Sequence, residues 1–242
     1  MWSFSRRLLS VFLASSLFAS QANSASLAFV EQTRLIFNAT SNAVAFPLKN
    51  DSSLNYLVKC IVKNADSNGK PTTVNSDFAI LPEVFVLSPQ SRKTLQVARL
   101  SGQYPHDRES VFYLNGFFVP EVQGQTENSF NLAVSVNVKV FYRPKGLVKL
   151  EAVKDVSETL QFEYESGSLK VSNPSPYFVT FGTLRVDEQS FGVEQLQKMV
   201  PPFGSQSYSI AVKNLKQVSV EWSLIDEFGN KTDQLSRSVR GR

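Results

Sequence analysis

The chain has 242 residues, 42% hydrophobic and 19% charged, with 25 Lys+Arg against 21 Asp+Glu, one cysteine and one histidine. That is enough apolar material for a packed core, while a formal charge of +4 without any basic run excludes a surface that tracks a phosphate backbone, so nucleic acid is not an expected partner. Cys60 cannot close an internal disulfide, and with His106 as the sole histidine there is neither a paired-His site nor a Cys/His cluster, so no zinc or iron–sulfur cofactor is expected.

Residues 1–25 place Arg6 and Arg7 before the apolar stretch Leu8 to Leu13, continue through Leu17-Phe18 and end in small residues. That order reads as a secretory signal peptide, and the stretch is shorter than the roughly 20 residues a bilayer-spanning helix requires. Removing Arg6 and Arg7 leaves 23 basic against 21 acidic groups. No later run is apolar enough to insert in a membrane.

From there the pattern is apolar alternation over short segments bounded by Asn, Asp, Ser, Gly and Pro, as in half-buried strands. In chain order the predicted strands are Leu35 to Phe37, Val44 to Leu48, Tyr56 to Val62, Phe78 to Leu81, Thr94 to Leu100, Val111 to Val119 and Phe130 to Tyr142. Asn50-Asp51-Ser52-Ser53 and Ser67-Asn68-Gly69 supply turns. The pattern stops around Pro144-Lys145-Gly146 and restarts from Val148 with Leu160 to Tyr164, Leu169 to Val171, Phe178 to Leu184, Ser207 to Val212 and Val218 to Ile225. Helical periodicity is confined to Glu194 to Met199, no sequence repeat joins the halves, and the tail from Ser236 to Arg242 is read as frayed. The expectation is an all-β chain of two tandem immunoglobulin-like sandwiches, 26–145 and 146–242, after a signal at 1–25.

Several stretches, in this order, resemble the periplasmic pilus-assembly (fimbrial) chaperones of the chaperone–usher pathway. They are Thr33-Arg34-Leu35-Ile36-Phe37, Leu81-Pro82 with Leu87-Ser88-Pro89, Asp107-Arg108-Glu109-Ser110-Val111-Phe112-Tyr113-Leu114-Asn115, Lys139-Val140-Phe141-Tyr142-Arg143-Pro144, Asn173-Pro174-Ser175-Pro176-Tyr177, Pro201-Pro202 and Asp226-Glu227-Phe228-Gly229. The short stretch Glu121 to Ser129, without cysteine, resembles the short-loop subgroup. The resemblance implies a boomerang-like pair of domains, fimbrial subunits and an outer-membrane usher as partners, a periplasmic location and no enzymatic activity. It leaves open whether unloaded chains self-associate.

Phe130, Leu132, Val134, Val136 and Val138 share one face of their strand, which alternation alone allows to be an ordinary core face. The resemblance makes it a strand lent to a subunit whose own sandwich lacks one, the mode called strand addition. It likewise implies that Arg34 and Lys139 bind the subunit's C-terminal carboxylate, and that Glu109, Arg143 and Asp226 form an interdomain charge network; without the resemblance, Arg34 and Lys139 taken singly read as solvated surface cations, and the other three read alternatively as unrelated surface charges. Gly116-Phe117-Phe118 is read as a second contact surface, as core packing or as a bulge, and Cys60 as buried rather than reactive. A Ser-His-Asp arrangement can be written with His106 and Asp107, but no nucleophile-elbow motif accompanies it. The competing class is a secreted carbohydrate-binding or adhesin-type sandwich, with Phe117 and Phe118 as its platform.

Overall fold

A computed structural model describes residues 29–66, 69–121, 132–149, 151–210 and 216–241. In its first half the strands are β1 (Phe29–Val30), β2 (Arg34–Asn38), β3 (Ala43–Asn50), β4 (Tyr56–Ala65), β5 (Pro71–Asn75), β6 (Phe78–Leu81), β7 (Val84–Leu87), β8 (Ser91–Arg99), β9 (Ser110–Pro120) and β10 (Val134–Arg143). They form two facing sheets, ordered β1-β3-β8-β6 and β2-β10-β9-β4-β5, with β7 also paired to β4. The chain therefore changes sheet between Val30 and Arg34: β1 runs antiparallel to β3, and β2 runs parallel to β10. Alternation explains the layering. Phe46 and Leu48 from one sheet meet Val58, Cys60, Leu114 and Val140 from the other, all buried.

The second half opens with a 3-10 turn at Lys145–Leu147 and a helix, α1 (Ala152–Thr159), before β11 (Gln161–Glu165), β12 (Ser168–Asn173), β13 (Phe181–Val186), β14 (Gln189–Ser190), α2 (Val193–Leu196), β15 (Gly204–Ser209), β16 (Gln217–Leu224) and β17 (Leu235–Arg240). Its sheets are β11-β12-β15 and β14-β13-β16-β17, closing on Leu169, Val179, Tyr208, Val220 and Trp222.

Two expectations are corrected here. The restart at Val148 is not a strand: Ala152, Val153, Val156 and Leu160 fall at helical spacing, and α1 buries that face on the second core. Nor is the tail from Ser236 frayed, because β17 pairs with β16 from Leu235 opposite Trp222 to Arg240 opposite Gln217. Its alternation is disguised by Arg237, which occupies an inward position by laying its guanidinium 5.6 Å from the Trp222 ring and donating from Nη1 to Leu160 O at 2.7 Å.

The halves also share a corner that is written in the sequence. Asn50 at the end of β3 and Asn173 at the end of β12 are both buried and followed two residues later by serine. Asn50 Nδ2 donates to Leu54 O, Leu87 O and Ser88 O, and Asn173 Nδ2 to Tyr177 O, Val200 O and Pro201 O. Each Oδ1 accepts from the backbone N–H and the hydroxyl of its serine, Ser52 or Ser175. Where strand pairing stops, a side-chain amide thus satisfies the carbonyls that a turn would leave bare.

Candidate binding cleft and edge strand

Lys139 on β10 stands opposite Arg34 on β2, so two cations are cross-strand neighbours where the sandwiches meet. Arg34 is 8% exposed. Its Nη1 donates to Ile225 O of the second sandwich at 2.9 Å, its guanidinium lies 5.7 Å from the Phe141 ring centroid, and its buried Nε has no hydrogen-bond partner among the described residues. Among the described residues neither Arg34 nor Lys139 has a carboxylate at ion-pair distance. Burial pulls the Arg34 guanidinium down to about 10, against the opposing field of Asp226, Glu227 and Glu109. Burial, and then the charge of Arg34, pulls the Lys139 ammonium down to about 8. Two desolvated cations, one of which lowers the proton affinity of the other, form a site that an anion would relieve.

Beside this pair runs an unpaired edge. The parallel ladder between β2 and β10 begins at Lys139, so Val134 to Val138 pair with β9 on one side and, among the described residues, with no strand on the other. Burial along the row is graded: Leu132 is 68% exposed, Val134 and Val136 are half-buried, and Val138 is 2% exposed within the first core. Val138 is thereby a correction to the expected donor set. At Val138 this face of the strand is closed inside the first core, whereas toward Leu132 the same face is open to solvent. Phe130 lies outside the described residues.

The charge network also differs from expectation in one member. Arg143 Nε donates to Glu109 Oε1 at 2.6 Å, Arg143 Nη2 to Glu227 Oε1 at 2.8 Å, and Arg143 Nη1 to Lys149 O at 3.0 Å. Glu109 Oε2 accepts from Phe178 N at 2.8 Å, and Glu227 Oε1 also takes Val153 N at 3.2 Å. The second carboxylate is therefore Glu227 and not Asp226. Asp226 opens a tight turn, its Oδ1 accepting from Phe228 N and Asn230 N while Gly229, at φ +89°, closes it. An Asp three residues before a Gly is itself a turn signature, and it marks Asp226 as the residue the turn consumes. Burial pushes the Glu109 carboxyl up, opposed by Arg143 and the Phe178 N–H. The sandwiches are further joined by Val111, Tyr113 and Phe141 packing on Met199 and Phe178 and by Arg108 lying 5.1 Å from the Phe203 ring centroid. None of these apolar partners was given an interdomain role from sequence.

Gly116-Phe117-Phe118 resolves into two roles. Phe118 is buried and its ring lies over Gly116, where a Cβ would come within 3.0 Å of it; Phe117, on the opposite face, is exposed. Neither ladder shifts register at Gly116, so there is no bulge. Cys60 is fully buried, and burial pushes its thiol up to about 12.

The protein-family model described as "Pili and flagellar-assembly chaperone, PapD N-terminal domain" matches residues 28–148, and "Pili assembly chaperone PapD, C-terminal domain" matches 155–236. The chain is 31% identical over 237 residues to the chaperone protein FimB/FhaD of Bordetella pertussis, covering 94% of this chain and 95% of that one. It is 27% identical over 232 residues to the probable fimbrial chaperone LpfB of Escherichia coli, covering 95% and 96%. In fold it resembles the structure of the Salmonella enterica SafA pilin in complex with the SafB chaperone, with a TM-score of 0.76 at 23% identity over 88% of this chain and 96% of that one.

Proposed function

The chain belongs to the pilus-assembly chaperone family, and on that premise we propose that it receives fimbrial subunits in the periplasm by anchoring their C-terminal carboxylate on Arg34 and Lys139 and lending them the open part of β10. It is a folding and capping chaperone, not an enzyme. The observation that carries the anchoring step is the pair itself: two desolvated cations with no carboxylate partner, beside a strand edge with no neighbouring strand, both among the described residues.

A subunit strand lying along Val134 to Val138 gains main-chain hydrogen bonds that do not depend on its sequence, and Leu132, Val134 and Val136 offer apolar groups to its unfilled groove. The carboxylate fixes register, because a one-residue slip turns every side chain to the other face. In this reading residues 26–145 form the gripping unit and residues 146–242 the unit that closes the cleft, held at a set angle by Arg143, Glu109 and Glu227. Residues 1–25 act as the export signal, and an outer-membrane usher exchanges the lent strand for that of the next subunit.

The test is co-expression with cognate fimbrial subunits and recovery of the soluble complex, for the wild type and for Arg34→Ala and Lys139→Ala. A one-to-one complex lost in both variants supports the anchor. Recovery that both variants leave intact removes it.

A further inference from the structure

Once Glu109 and Glu227 are closed by Arg143, Asp226 is, among the described residues, the carboxylate acting on Arg34 that is left outside the network. Asp226 directly follows Ile225, whose carbonyl holds Arg34 Nη1 at 2.9 Å. Its place is fixed by a turn in which Asp226 Oδ1 accepts from Phe228 N at 2.9 Å and Asn230 N at 2.8 Å, and Asp226 N donates to Asn230 O at 2.8 Å. That turn is wedged against the segment leading into β2: a Cβ on Gly229 would lie 2.6 Å from Thr33 Oγ1. The negative charge is therefore held near Arg34 but, among the described ion pairs, not in contact with it. Of the three carboxylates that sustain the charge of Arg34 against burial, Asp226 acts most strongly.

We propose that Asp226 is a built-in counter-charge that weakens the hold of Arg34 on an incoming carboxylate. An anion approaching Arg34 meets the cation and this fixed negative charge together, and the attraction is reduced by their sum. For a chaperone that must surrender its cargo, a desolvated cation pair without such a charge would bind more tightly than hand-over requires. The inference rests on the carboxylate-anchor reading above.

Asp226→Asn separates charge from structure, since the amide oxygen still accepts from Phe228 N and Asn230 N; Asp226→Ser keeps a shorter acceptor and serves as the second variant. The full chain is titrated calorimetrically with a synthetic peptide of the cognate subunit's C-terminal strand, ending either in a free carboxylate or in an amide. Both variants are expected to bind the free acid about three- to tenfold tighter than wild type, with the gain shrinking as salt rises. The amide should bind them as it binds the wild type, and Glu165→Gln on β11 should change neither affinity. Unchanged or weaker binding of the acid, or an equal gain for the amide, overturns the proposal while leaving the anchor intact. A wild type that does not distinguish acid from amide, with Arg34→Ala binding the acid as well as wild type does, overturns the anchor and the counter-charge with it.

Discussion

Removing the Glu109 carboxylate should unfasten the two sandwiches, and the geometry sets the size of the effect. Glu109 reaches Arg143 Nε at 2.6 Å and Phe178 N at 2.8 Å from a fully buried position, and the Arg143 side chain is 3% exposed. Glu109→Ala leaves a buried guanidinium with one carboxylate, Glu227, and strips the Phe178 N–H of its acceptor. Breaking a buried pair from one side costs about 3–5 kcal/mol, most of it the penalty of the stranded charge. A buried N–H left without an acceptor costs about 1–3 kcal/mol, and because both losses come from one side chain they overlap rather than add. The expected total is therefore about 3–5 kcal/mol. Denaturant unfolding read by Trp222 fluorescence and by far-ultraviolet circular dichroism tests this, because Trp222 sits in the second core and the dichroism covers both. We expect a lower midpoint and a separation of the two transitions, as each sandwich keeps its own core. A loss under about 1 kcal/mol with coincident transitions would refute the claim that Arg143 needs both carboxylates.

Further outcomes follow from the same structure. Subunit affinity should fall as pH rises through about 8, where Lys139 loses its proton, and Lys139→Met should flatten that profile. In the empty chain the sign is reversed. The folded pKa of Lys139 is about 8 against an ordinary 10.5, so the cost of burying its charge is fully present below pH 8 and is relieved between those values; wild type should gain stability relative to Lys139→Met over that window in paired urea titrations. Along β10, Leu132→Asn should reduce complex recovery with melting temperature unchanged, while Val138→Asn should destabilise the empty chain by about 2–4 kcal/mol, as expected for a polar group put into a closed core. Asn173→Ala should cost about 1–3 kcal/mol by stranding the carbonyls of Tyr177, Val200 and Pro201, measured by the same denaturant titration.

The two-sandwich fold was legible because strand alternation and turn residues are local signals. Arg34, Lys139, Glu109 and Arg143 were reachable through motifs, and β2 and β10 bring the first two side by side across a parallel ladder. What escaped had competing physics at the same positions. The helix α1 was masked by two valines that read equally as strand, and β17 by an arginine in an inward position. Asp226 and Glu227 are adjacent carboxylates; the glycine three residues on marks Asp226 for the turn, but only the folded geometry brings Glu227 to Arg143. The row from Leu132 to Val138 has a single parity, so no pattern could say where the sandwich closes over it. The contact of Met199 with Val111, Tyr113 and Phe141 is nonlocal, and no spacing carries it.

The lent strand is tested most directly by hydrogen exchange at the β10 amides, followed with the empty chaperone and with the purified chaperone–subunit complex. The account predicts that outward-facing amides between Leu132 and Val138 exchange fast in the empty chain and become protected in the complex, while amides from Val140 to Arg143, already paired with β2, change little. Equal exchange from Leu132 to Val138 in the two states would contradict it.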